Sequence, residues 1–215
     1  MSNQEWFRNQ SWNSKIEKAF FEKLSRARSQ RDQYLAIQAL ELAPHDPNAA
    51  LALVDHYFET REDDFHDITV LSARADASEA LGDTNGLVAA YKAILAREAE
   101  EPGHRTLMTW LMFPYLVASE GLEDEYDLAK EILNSRIEGN RDGLELFPLA
   151  KFYWHASHAL LASRQGDCEL AKKHAVAAMD SAQATRSGAR YHPNMGLVGN
   201  QHQPVIDRLA ELMGE

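Results

Sequence analysis

Ala80-Leu81-Gly82-Asp83-Thr84-Asn85-Gly86-Leu87-Val88-Ala89-Ala90-Tyr91-Lys92-Ala93-Ile94-Leu95 is the stretch whose reading decides the fold. Apolar residues at Leu87, Val88, Tyr91, Ile94 and Leu95 recur at helical spacing. Gly82-Asp83 punctuates two such segments, and glycine there can adopt the left-handed conformation that ends a helix. A connection this short makes the two helices lie antiparallel.

The same offsets occur elsewhere. Ala50, Leu51, Val54, Tyr57 and Phe58 repeat them one unit upstream. Tyr126, Ala129, Ile132 and Leu133 follow downstream, then Ala171, Ala175, Ala178 and Met179. The central positions Val54, Tyr91, Ala129 and Ala175 are 37, 38 and 46 residues apart, the period of paired-helix repeats. Strand patterning is nearly missing, and ten helices are expected at 12–29, 31–43, 47–60, 65–81, 84–99, 104–120, 123–138, 146–165, 168–186 and 203–213. Asp46-Pro47 is an N-cap followed by proline at the first helical position. Gly121-Leu122, Gly166-Asp167, Pro102-Gly103 and the stretch Gly139 to Gly143 read as further breaks. Strict alternation, counted back from the later turns, makes 31–43 a first helix and 47–60 its partner.

On these residues the chain resembles the tetratricopeptide repeat family, in the manner of its bacterial members. The clearest matches are 80–95 and Ala159-Leu160-Leu161 through Gly166-Asp167, Ala171, Ala175 and Ala178. Ala75 and Ala159 match the family's small residue midway along a first helix. Leu87 and Ile94 are larger than the family prefers, and Pro114 falls at the small-residue position of the third repeat, where it is expected to kink the helix. The resemblance covers roughly 31–186. It implies one all-α domain over 1–215, a right-handed superhelical solenoid of four hairpins. Residues 1–30 are its N-terminal cap, and 187–215 form an ordered loop and a C-terminal helix.

In this family the first helices line a concave face that holds the ligand. Carried over, that face gives Asp32 and Leu35, then Thr69, Ser72, Asp76 and Glu79, then Met108, Leu111 and Tyr115, and finally Tyr153, Leu160 and Arg164. Leucines are so often buried that Leu35, Leu111 and Leu160 read as core. The remaining face is acidic and aromatic and suits a peptide with a basic segment and an apolar anchor. The segment 186–203, which holds Tyr191, His192, Met195, Leu197 and Val198, reads as an ordered loop folding back on the last repeats; Tyr191 and His192 are candidate contacts to a ligand.

Composition narrows the functional classes. Of 215 residues 45% are apolar, enough for a buried core, and the formal net charge is −11. A charge of that sign repels phosphate backbones, so nucleic acid is not an expected partner, whereas a basic protein or peptide is. No run of about 18 apolar residues occurs, so no membrane span is expected, and the polar start from Met1 to Gln10 does not read as a secretion signal, which points to the cytoplasm.

Cys168 is the one cysteine, beside Asp167 and Glu169, which do not activate a thiol. His155 and His158 are one turn apart, but no third metal ligand is evident near them in sequence. The acidic runs at Glu98 to Glu101 and Glu120 to Asp127 read as solvated. No phosphate-binding loop or nucleophile elbow occurs. The expectation is therefore a non-catalytic adaptor without cofactor or metal. The alternatives are an immunity-like inhibitor of a basic toxin and a self-assembly module using Trp6, Phe7 and the neighbouring aromatics.

Overall fold

The structure, a computed structural model, describes residues 5–100 and 108–214, and at 138–143 the backbone alone. The described chain is all α-helical, with ten α-helices, two 3-10 turns and no strand. It divides into two compact units, Met1–Thr106 and Leu107–Glu215.

The first unit holds α1 (Ser14–Leu24), α2 (Arg31–Leu42), α3 (Pro47–Thr60), α4 (Asp67–Leu81) and α5 (Thr84–Glu100). Local chemistry sets these boundaries. The Asn13 side chain accepts from Lys15 N and Ile16 N to start α1. Asp46 accepts from Ala49 N to start α3, with Pro47 in the first turn. Gly82, at φ +67°, ends α4. Helix α2 packs on both α3 and α4, α3 packs on α4, and α4 packs on α5. Their core includes Leu35, Leu42, Val54, Tyr57, Val70, Ala73 and Ala77.

The N-terminal segment lies back on this core rather than away from it. Trp6, Phe7 and Trp12 pack against the cluster that contains Phe20 and Leu24, and the Phe7 ring stacks on Tyr34 at 4.5 Å. Fully buried Gln38 fixes the register. Its Oε1 accepts from Asn9 N at 3.0 Å and Asn9 Nδ2 at 2.8 Å, and its Nε2 donates to Asn9 O at 2.8 Å.

The second unit holds α6 (Thr109–Glu120), α7 (Tyr126–Leu146), α8 (Pro148–Arg164), α9 (Cys168–Ala182) and α10 (Gln203–Gly214). Helix α6 packs on α7 and α8, α7 on α8, α8 on α9, and α10 on both α8 and α9. Phe113, Val117, Leu133, Phe152, Ala159, Ala175 and Leu209 are buried at these contacts. Pro114 lies buried inside α6.

Two expectations change here. Gly139 to Gly143 do not separate hairpins: the helix runs through them to Leu146. A helical glycine costs only about 1 kcal/mol relative to alanine, which a well-packed helix absorbs. The break falls at Phe147-Pro148 instead, where Phe147 is extended (φ −119°, ψ 121°) and Pro148 opens α8. Proline's ring disfavours the helical conformation at the residue before it. Glu98, read as part of a solvated run, is buried at 1% exposure. Glu101, Pro102-Gly103 and the expected helical residues 104–107 lie outside the described residues.

The segment after α9 folds against the α7–α8 junction. Gly188 N donates to Leu146 O and Leu149 N donates to Gly196 O, each at 2.8 Å. A 3-10 turn, Asn200–His202, then leads into α10.

Candidate functional site

Each unit presents its own candidate face. On α4, Thr69, Ser72, Asp76 and Glu79 recur every three or four residues and so share one stripe. Thr69 and Ser72 are half-buried, and Asp76 and Glu79 are exposed. The Ser72 hydroxyl is turned back on its own helix, donating to Ile68 O at 2.8 Å. Partial desolvation, then the charge of Glu79, hold Asp76 above the usual carboxylate range. Two like charges one turn apart repel each other, and a cation placed between them removes that cost.

Asp32 is placed differently. It is buried, and its Oδ2 accepts from Glu62 N at 2.8 Å, so it anchors the α3–α4 connection. Its Oδ1 is buried without a partner. Leu35, Leu111 and Leu160 are core residues, none more than 4% exposed.

In the second unit Tyr115 of α6 and Tyr153 of α8 meet, with ring centroids 4.5 Å apart. His202, just before α10, stands between their hydroxyls. Its Nδ1 is 3.0 Å from the Tyr115 oxygen and its Nε2 is 3.4 Å from the Tyr153 oxygen. His202 is itself buried. Burial lowers its pKa, while burial and then the neighbouring Tyr153 raise that of Tyr115. A neutral imidazole has one N–H and one lone pair, so one ring can accept from one phenol and donate to the other. Arg208 Nη1 donates to Ser119 O at 2.7 Å and ties α10 to the end of α6. This face of α6 and α8 is therefore occupied by the chain itself.

The other expected contacts are scattered. Met108 is half-buried at the start of α6, and Arg164 is exposed at the end of α8. Tyr191 is 80% exposed, with the Arg190 guanidinium 5.5 Å from its ring centroid. His192 is exposed, and its backbone oxygen accepts from Ser187 Oγ at 3.0 Å. A cavity of about 490 Å³ in the first unit, lined by Trp6, Lys23, Arg26, Arg28 and Tyr34 among others, includes none of these residues.

Two residues escape a reading of the sequence. His202 lies 87 and 49 positions from the tyrosines it joins, and no local pattern marks it. His174 of α9 is the third imidazole beside His155 and His158; it shares their helix hairpin but lies 19 positions beyond His155. Among the described residues no group of three His, Cys, Asp or Glu is placed to hold a metal ion. No helix among them is long and apolar enough to cross a membrane. Compared with protein-family models, with curated proteins and with solved structures, the chain finds no match.

Proposed function

We propose that the chain is a non-catalytic protein- or peptide-binding module of tetratricopeptide-like hairpins, acting in the cytoplasm, whose α4 stripe receives a basic segment of the partner. The packing order within each unit supports the repeat reading. A first helix touches its own partner and also the first helix of the next hairpin: α2 on α3 and α4, α6 on α7 and α8. Hairpins stacked in that order leave the concave side of their first helices available to a guest. Helices α1 and α10 then serve as caps.

The observation that carries the binding reading is the exposed Asp76–Glu79 pair on α4, in which partial desolvation and the charge of Glu79 raise the proton affinity of Asp76. In the second unit the corresponding side chains, Tyr115 and Tyr153, are already engaged by His202. Basic segments are thus directed to α4 by charge.

The test is fluorescence anisotropy of a labelled peptide, lysine- and arginine-rich with one aromatic anchor, titrated with the full chain. Asp76→Lys combined with Glu79→Lys is expected to weaken binding about tenfold or more and to remove most of its salt dependence. Unchanged affinity in a variant of unchanged helicity would overturn the assignment of this stripe.

A further inference from the structure

His155 and His158 of α8 meet His174 of α9 in the interface between the two helices. His155 Nδ1 and His174 Nδ1 are 3.0 Å apart. The His158 ring stacks on His174, with centroids 4.8 Å apart and planes at 23°. Trp154 closes the group, its ring 4.7, 4.5 and 5.4 Å from those of His155, His158 and His174. All three histidines are half-buried. Two polar atoms here are buried without a partner, His158 Nε2 and Trp154 Nε1.

This geometry tolerates few protons. A 3.0 Å contact between two imidazole nitrogens needs one N–H and one lone pair. If both rings were protonated, two N–H groups would point at each other. A proton on His158 Nε2 would be buried with no acceptor, because that atom has none. Stacked rings bearing like charges would also repel across the interface.

We infer that the α8–α9 hairpin is an acid-released clasp: it is held by neutral imidazoles and opens when the three-histidine cluster takes up protons. The surrounding charges do not rescue the protonated state. On α8 and α9 the acting groups are Lys151 and Lys173, both of which disfavour the imidazolium. From α7, Glu145 favours it weakly but is ion-paired with Lys151. The titratable groups reaching α8 from α6 and the turn before α10, Tyr115 and His202, meet it at Phe152 and Tyr153.

Burial, then the neighbouring His174, lowers His155 to about 4, and the same two causes lower His158 to about 4. Burial and then Lys173 lower His174 as well. The unfolded or opened hairpin has ordinary histidines near 6.5 and binds more protons between roughly pH 6.5 and 4. Stability of the hairpin is therefore complete above that window and is lost as the pH falls through it.

The experiment is hydrogen exchange of the full chain at pH 7 and pH 5, corrected for intrinsic exchange rates, with the α4 amides as internal reference. In the native sequence the opening constant of α9 is expected to rise at least about tenfold at pH 5 while that of α4 does not. In a His155→Phe/His158→Phe variant, which keeps flat rings, removes two proton sites and leaves His174, the rise should be smaller than in the native chain by about threefold or more. An α9 opening constant independent of pH, or an equal rise in the variant, overturns the inference. If the variant does not fold, NMR titration of the imidazole Cε1–H signals in the native chain decides. Titration of His155 and His158 well below pH 6 supports the clasp, and three independent titrations near 6.5 overturn it.

Discussion

The hydroxyl of Tyr115 lies 3.0 Å from Nδ1 of His202, joining the middle of α6 to the turn before α10 across 87 positions of sequence. The contact is part-buried, and the ring of His202 also packs on Phe152 at 5.5 Å. Tyr115→Phe removes a hydrogen bond and little volume, so it is expected to cost about 1 kcal/mol. His202→Ala removes the ring and the partner of the Tyr115 hydroxyl, for about 2–3 kcal/mol. In a double-mutant cycle read by urea unfolding, the two changes should couple by about 0.5–1.5 kcal/mol. Strict additivity would mean that the phenol draws its stability from elsewhere.

Asp67 makes a second, independent prediction, this time in the first unit. Its Oδ1 accepts from the Tyr57 hydroxyl at 3.0 Å, and the carboxylate is ion-paired with Arg61 and approached by Arg97 Nε at 3.6 Å. Asp67 is 6% exposed and Tyr57 is fully buried, so the carboxylate and phenol that join α3 to α4 lie out of contact with water, while Arg61 reaches them from the exposed end of α3. Asp67→Asn keeps the shape but removes the charge that both guanidinium groups face, at an expected cost of about 2–4 kcal/mol. Tyr57→Phe should cost about 1–2 kcal/mol, since the carboxylate keeps its cations. The measurement is the urea midpoint at constant slope, and a smaller loss for Asp67→Asn than for Tyr57→Phe would contradict this ranking.

Helices and most of their ends were legible because their causes are local. Asp46-Pro47, Gly82, Gly121 and Gly166 act within a turn of where they stand, and each does mark a helix boundary. The break lies at Phe147-Pro148 and not at Gly139 to Gly143, because helical glycines carry only a mild cost whereas Pro148 sterically disfavours helix at Phe147. The candidate site was legible only in part. Asp76 and Glu79, candidates implied by the family resemblance, are exposed on α4. Asp32 has the same chemistry and the same expected face, yet is buried because Glu62 N, 30 positions away, needs an acceptor there. His174 and His202 belong to clusters assembled from separate segments, and a contact between segments leaves no periodic trace in either.

Gly196 in the loop after α9 compares with Gly82 at the end of α4. Gly82 and Gly196 both have φ +67°. A Cβ added at Gly82 meets nothing within 4 Å, whereas at Gly196 it would lie 2.7 Å from Phe147 Cδ1 and 3.0 Å from Phe147 Cβ and Cγ. Gly82→Ala should therefore cost only the left-handed backbone penalty of about 1–2 kcal/mol. Gly196→Ala carries the same penalty and must also displace Phe147, the residue that turns α7 into α8, and the Gly196 O bond from Leu149 N with it. Its expected cost is about 3 kcal/mol or more. Thermal or urea unfolding of the two single variants checks the difference. Equal losses would mean that the 183–199 segment yields freely and does not brace the α7–α8 junction.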